Sequence, residues 1–246
     1  MIFAAAQTNP KHDNIKANLN DHCKLSELAA KNGADLIVFP EMSITGYERE
    51  KAKNFVFDVL DPRLNTLLKL AVDNKIIVIA GAPIRIEGDI YIGSFVIKPD
   101  NSLSIYTKQF LHDGETQFFN SSFNYNPAVE LADEKISLAI CADIEHEQHI
   151  KNASSINTTI YLASIFYTSN GMPEAHSTLS NYAIKYKMNV LMSNFCGSSW
   201  SLNAGGQSGF WDKNGKLIAN LNDTEPGLLI MEKVHNSWIE KKVLYD

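Results

Sequence analysis

Ile136-Ser137-Leu138-Ala139-Ile140-Cys141-Ala142-Asp143 is the stretch on which the reading of this chain turns. A short apolar, partly β-branched run ends on a thiol, and the residues after the thiol suit the opening of a helix. A cysteine at a strand-to-helix turn has the address of a nucleophile. The positive end of the helix dipole is expected to lower its pKa and raise its thiolate fraction. A free cysteine is more often a buried packing residue, so position alone leaves both roles open.

Strand-like runs recur outward from this stretch at 2–6, 36–39, 76–80, 158–162 and 190–192, alternating with segments of helical period. In the first such segment Ile15, Leu19, Cys23, Ala29 and Ala30 share one face, and Gly33 supplies a stop. The second opens with Asp61 as N-cap and Pro62 at the first helical position, then carries Leu64, Leu67, Leu68 and Ala71. The third follows Pro173 and aligns Ala175, Leu179, Tyr182, Ala183 and Tyr186. Turns at Lys98-Pro99-Asp100-Asn101 and around Asp212-Lys213-Asn214-Gly215 each join two extended runs. This alternation predicts a mixed α/β (α+β) layered fold. No linker, repeat or low-complexity tract interrupts it, so one domain over 1–246 is expected.

Composition narrows the function. The 246 residues carry 22 Lys and Arg against 28 Asp and Glu, a net charge of −6, and 45% are hydrophobic, which is globular and not disordered. The chain has no basic block for nucleic acid or anionic lipid, so a small-molecule substrate or a protein partner is expected. The apolar start is broken by Gln7, Asn9 and Pro10 and lacks a basic flank, unlike a signal peptide. Cys23, Cys141 and Cys196 are odd in number and far apart, which argues against a disulfide framework and favours the reducing cytoplasm.

Two further residues share the address of Cys141. Glu41 follows the 36–39 run in Pro40-Glu41-Met42-Ser43-Ile44-Thr45-Gly46-Tyr47, and Lys108 follows the extended run ending at Tyr106. Either alone reads as surface decoration. A carboxylate, an ammonium and a thiol each at a strand's end is a stronger signal, because open αβ sheets gather their sites there. The aromatic, turn-rich loop 108–127 adds to it, since a loop of that length in a compact domain is usually functional. His112, Asp113, Glu115, His146 and His149 invite a metal site, but no ligand spacing among them matches one; neither metal nor cofactor is expected.

On these residues the chain resembles the nitrilase superfamily of carbon-nitrogen hydrolases. Phe39-Pro40-Glu41 with Thr45-Gly46-Tyr47 is similar to its glutamate motif, and Lys108 with Leu111-His112-Asp113-Gly114-Glu115 to its lysine motif. Ile140-Cys141-Ala142-Asp143 is similar to its cysteine motif. Ala4-Ala5-Ala6-Gln7, Ser193-Asn194 with Gly197, Gly206-Gln207-Ser208 and Gly227-Leu228-Leu229 extend the likeness along the chain. The resemblance implies a four-layer αββα sandwich, commonly a homodimer or higher homo-oligomer in which the helices flanking the cysteine meet. It implies hydrolysis of a small linear amide or carbamoyl C–N bond through a cysteine thioester. Glu41 would act as base and then acid, Lys108 as oxyanion stabiliser and Glu115 as the second glutamate, with Tyr47, His112, Ala142, Asp143 and Glu145 near the substrate. On that mechanism Lys108→Met is expected to impair activity far more than stability.

Departures from the family pattern bear on specificity. Ala142 replaces a usual aromatic and widens the pocket, whose shape is expected to depend on 108–127, 163–171 and the Cys141 turn. Glu145 stands where members acting on carboxylate-bearing amides often carry arginine, which suits a neutral or cationic substrate. Tyr182 and Lys185 replace an arginine and a glutamate, so the usual ion pair is not expected. Acyl transfer to an amine or alcohol would use the same residues, and Ala142 leaves a non-catalytic binding or scaffold relative as an alternative.

Overall fold

Side chains alternate across a strand with period two, and the computed structural model, which describes residues 1–245, uses both faces of its central strands. The first sheet holds β1 (Ile2–Gln7), β2 (Leu36–Val38), β3 (Phe57–Asp58), β4 (Ile77–Ile86), β5 (Asp89–Ile97) and β6 (Leu103–Thr107). Near the chain's end β15 (Gly227–Val234) and β16 (Ser237–Leu244) join it, giving the order β16-β15-β1-β2-β4-β5-β6 with β3 against β4. The second sheet holds β7 (Val129–Leu131), β8 (Glu134–Ile140), β9 (Ile160–Ser164), β10 (Asn189–Ser193), β13 (Gly209–Trp211) and β14 (Leu217–Asn220), in the order β14-β13-β10-β9-β8-β7. Its central strands β8, β9 and β10 run parallel, as β1, β2 and β4 do in the first. A small hairpin, β11 (Ser198–Ser199) and β12 (Leu202–Asn203), stands apart.

Three apolar layers result. Phe3, Ala5, Leu36 and Val38 of the first sheet meet Leu138, Ile140, Leu162 and Leu191 of the second. Ala4, Ala6, Ile37 and Val78 face the other way, toward α1 (Ile15–Lys31) and, beyond the short α2 (Ala52–Phe55), α3 (Asn65–Asn74). Ala139, Tyr161, Ala163 and Val190 face α4 (Glu147–Ser155) and α5 (Met172–Tyr186). The architecture is the four-layer αββα sandwich. Among the described residues no helix is long and apolar enough to cross a membrane.

Three expectations change. The face that α1 buries is Asn18, His22, Leu25, Ser26 and Ala29, while Ile15, Leu19 and Cys23 are only partly covered; apolar periodicity misses it because its members include polar side chains. β4 runs to Ile86, well past residue 80, and pairs with β5 through a turn at Glu87 and Gly88. An ion pair does join α4 to α5, and Lys185 itself makes it with a new partner: Glu147 accepts from Lys185 and, at 2.8 Å, from Tyr186, with Lys151 at 3.3 Å.

Candidate active site

The chain leaves β2 through a tight turn that carries Glu41. Met42 adopts φ +49°, and Gly81 of β4 passes so close that a Cβ there would lie 2.5 Å from Met42 N. Gly81 N–H donates to Ser43 Oγ at 3.2 Å, and Ile44 N–H donates back to Gly81 O at 2.9 Å. The buried polar face of α1 supports this turn. His22 sets Nε2 2.8 Å from Ser43 Oγ and Nδ1 2.7 Å from Asn18 O, and Asn18 Nδ2 donates to Ile44 O at 3.1 Å. Burial holds His22 down at about 4, so the ring is neutral near neutral pH and takes the tautomer that donates to Asn18 O and accepts from Ser43.

Cys141 follows β8 directly at φ +45°, the left-handed region, which for a non-glycine residue costs on the order of 1 to 3 kcal/mol. Asp143 holds that turn. Its Oδ2 accepts from Ile140 N–H (2.9 Å) and Tyr106 O–H (2.6 Å), and its Oδ1 from the N–H groups of Gln109 (3.0 Å) and Phe110 (2.9 Å). One carboxylate thus ties the cysteine turn to the segment that carries Lys108. Tyr106 and Tyr161 in turn flank His149 at 2.8 and 2.7 Å.

These turns deliver their side chains to one point between the sheets. Lys108 Nζ donates to Glu41 Oε1 and Glu115 Oε1, at 2.8 Å each, and all three side chains are fully buried. Glu115 is fully engaged, since Tyr47 O–H donates to Oε1 at 2.6 Å and His112 N–H to Oε2 at 2.8 Å. Glu41 is not: its Oε2 has no hydrogen-bond partner. The Cys141 thiol lies 3.7 Å from Phe166 O and 3.4 Å from His112 Nε2, and the residue is 2% exposed.

The electrostatics follow from burial and these pairs. Desolvation raises Glu41 from 4.5 to about 7 against the pull of Lys108, and Glu115 adds to the rise. Burial also opposes ionisation of Glu115, but Lys108 and the hydrogen bonds from Tyr47 and His112 overcome it and hold this carboxyl low. For Lys108, burial works against the charge and is outweighed by Glu41, Cys141 and Glu115, so the ammonium is firmly protonated. Burial and Glu41 push the Cys141 thiol well above its ordinary range. The expected lowering by a helix dipole is therefore not what the site shows, because the helix that Cys141 opens is a five-residue 3-10 turn beside buried carboxylates.

The pocket gathers Glu41, Lys108, Glu115, Cys141, Tyr47 and His112, with Ala142 buried in the first turn after the thiol. Asp143 is the correction: both its oxygens are saturated by the chain, so it braces the site and offers nothing to a substrate. Glu145 sits half-exposed beside His112. Its Oε2 lies 3.6 Å from His112 Nδ1, and its Oε1 accepts from Tyr167 O–H at 2.5 Å. Glu145 and Tyr167 also line a cavity of about 440 Å³ that carries Glu174 and no lysine or arginine. Individual residues of the 163–171 segment escaped the sequence reading. Phe166 supplies the carbonyl nearest the thiol, and Asn194 fixes its neighbour by accepting from Tyr167 N–H at 3.1 Å and donating to Tyr167 O at 3.2 Å. Of the histidines considered for a metal, His146 stacks on Phe110 at 4.1 Å and His149 sits between the two tyrosines.

The family profile described as carbon-nitrogen hydrolase matches residues 3–241. An amidase from Nesterenkonia sp. AN1 shares the fold with a TM-score of 0.84 over 96% of this chain and 93% of its own, at 21% identity. The glutamine-dependent NAD(+) synthetase of Acinetobacter baylyi is 26% identical over 229 residues, 85% of this chain and 41% of the synthetase. A nitrilase from Pyrococcus abyssi is 30% identical over 146 residues, 57% of this chain and 55% of that one. The aligned region thus spans about two fifths of the synthetase and just over half of the nitrilase.

Proposed function

Because the chain belongs to the carbon-nitrogen hydrolase family of the nitrilase superfamily, we propose that it cleaves the C–N bond of a small linear amide or carbamoyl compound through a thioester on Cys141. The observation that carries this reading is the Lys108 ammonium held 2.8 Å from both Glu41 and Glu115, all three fully buried, beside a buried thiol on a left-handed turn. Attack of sulfur on the carbonyl puts charge on oxygen, and a fixed ammonium already in place stabilises that charge without reorganisation. Such donors are worth roughly 3 to 4 kcal/mol in other hydrolases. The thioester then needs an activated water. Glu41, with its open Oε2 and a proton affinity near neutral, is suited to serve as base and acid. Glu115, saturated and low, orients Lys108 and Tyr47. In a variant of the Nesterenkonia amidase the acetamide moiety of fluoroacetamide adds covalently at the active-site cysteine; we assign the corresponding reactivity to Cys141.

Glu145, whose carboxylate lies beside the His112 ring that faces the thiol, favours neutral or cationic acyl groups over anionic ones. A homodimer through the outward faces of α4 and α5, where Ile156 just past α4 and Ile184 of α5 are exposed, completes the proposal. The test is ammonia release from a panel of neutral, cationic and anionic amides, carbamoyl compounds and nitriles by wild type and Cys141→Ala. Release by wild type alone is expected, with anionic members poorest. Equal release by both proteins, or silence from both, overturns the reading.

A further inference from the structure

We propose that the outer edge of β16 is an interface with a second copy of this chain, the two β16 strands pairing antiparallel about a two-fold axis at Lys241. β16 ends the first sheet: among the described residues it pairs with β15 on one side and with no strand on the other. Such an edge presents a row of unpaired backbone donors and acceptors, which proteins blunt with proline, a bulge or charge. No proline interrupts Ser237–Leu244, and its register against β15 runs without a shift. Ile239 and Leu244 stand 52% and 57% exposed along it. Its charges remain, and their order makes the strand complementary to itself.

The backbone decides which residues can reach a partner. Tyr245 N–H donates to Pro226 O at 3.1 Å, continuing the ladder with β15, so the odd-numbered residues turn their backbone groups toward β15. Those of Trp238, Glu240, Lys242 and Leu244 therefore point away from it, along the sheet. Side chains alternate between the two faces. Trp238 packs between the sheets on Phe3 and Phe210, with ring centroids 6.0 and 4.5 Å away, whereas Val243 packs on the helix side. Glu240, Lys242 and Leu244 share the Trp238 face; Ile239 and Lys241 share the Val243 face.

A two-fold axis through a continuous sheet keeps each face on its own side, so residues paired across it lie an even number of positions apart. With the axis at Lys241, Glu240 lies opposite Lys242 of the second copy and Trp238 opposite its Leu244, each pair occurring twice. These are the residues whose backbone groups point outward, so each pair can exchange two hydrogen bonds. On the other face Ile239 meets Val243. Moving the axis to Glu240 sets that carboxylate against its own copy and Trp238 against Lys242; moving it to Lys242 sets two ammonium groups together and Glu240 against Leu244. At the favoured axis the one adverse pair is Lys241 with its copy, and its ammonium is drawn aside by Asn32 Oδ1 at 2.6 Å. The surface shares no residue with α4 or α5, so the two interfaces can coexist.

Sedimentation of wild type, Glu240→Lys and Lys242→Glu at matched concentrations tests the interface. Both positions are exposed, so neither change disturbs the protomer's core. Each single variant sets like charges opposite each other and should run at half the wild-type mass or below. An equimolar mixture of the two should regain the wild-type mass, because in the mixed pair every lysine faces a glutamate again. Lys241→Cys checks the axis. Cα atoms of a non-hydrogen-bonded antiparallel pair lie about 4.5 Å apart, within reach of a disulfide. Mild oxidation should therefore link two chains of Lys241→Cys above the wild-type background from Cys23, Cys141 and Cys196, and should not link Ile239→Cys. A wild type of single-chain mass, single variants that keep the wild-type mass, or a mixture that stays at the mass of its components overturns the interface. Ile239→Cys linking as readily as Lys241→Cys overturns the axis and the charge pairing with it.

Discussion

Asp143 and Glu41 are both fully buried carboxylates close to the same thiol, yet they live under opposite conditions. Asp143 accepts four hydrogen bonds from four different residues, which account for both of its oxygens. Glu41 shares one oxygen with a lysine and leaves the other without a partner. A buried polar group that is satisfied costs little and fixes geometry; one that is half-satisfied is expensive and persists where chemistry uses it. The comparison separates scaffold from reagent within one pocket.

The sharpest way to break it is Glu41→Gln. Turnover on the preferred amide should fall about 10²- to 10⁴-fold, as for loss of a general base, while the urea midpoint holds or rises because an under-satisfied carboxylate has gone. Wild-type turnover, or a large loss of stability, would place Glu41 with Asp143 on the scaffold side. Next comes Lys108→Met, expected to cost about 10²- to 10³-fold in turnover through the oxyanion. The structure revises the expectation that stability is spared. Removing Lys108 leaves two carboxylates facing each other in the core, so a loss of roughly 2 to 3 kcal/mol should accompany it. The loss should be smaller below pH 7, where Glu41 can take up a proton.

Asp143→Ala is the counterpart on the scaffold side. It orphans three backbone N–H groups and the Tyr106 hydroxyl, and even partial rehydration leaves an expected loss of about 3 kcal/mol. Denaturant unfolding measures it; a loss below about 1 kcal/mol would mean that the cysteine turn and the Lys108 segment hold each other without the strut.

Legibility in the sequence divides along the same line. Hairpin turns, the Asp61-Pro62 helix start and the strand-end addresses of Glu41, Lys108 and Cys141 are local signals, and the fold keeps them. Asp143 reads as a pocket residue because it stands two places past the thiol; three of its donors come from Tyr106, Gln109 and Phe110, more than thirty residues away, where no local pattern points. The same blindness hides the inner face of α1. Asn18 and His22 are buried for the sake of Ser43 and Ile44 on another element, and a search for apolar periodicity rotates the helix toward Ile15 and Cys23. The direction of the thiol's shift was hidden too, since it depends first on burial between the sheets and then on Glu41 arriving from the opposite sheet.

The smallest expected effect compares Glu41 with His22, a buried base that supports its turn. Glu41 is raised from 4.5 to about 7, so between those values the folded state binds the extra proton and stability from this group falls as pH rises. His22 is lowered from 6.5 to about 4, so the unfolded state binds the extra proton there and stability from this group rises with pH. The slopes oppose each other across their shared window, and differences between variants separate them. From pH 4.5 to 7, Glu41→Gln should gain on wild type by roughly 2 to 3 kcal/mol as pH climbs, at roughly 1.4 kcal/mol per pKa unit across the shift. His22→Gln should be worst relative to wild type at the high end of its window, because the variant keeps no histidine to be relieved of its proton, and should recover toward pH 4. Parallel stability curves for Glu41→Gln and wild type would mean that Glu41 titrates in the fold as it does in water, and would remove the physical ground for treating its open oxygen as a base.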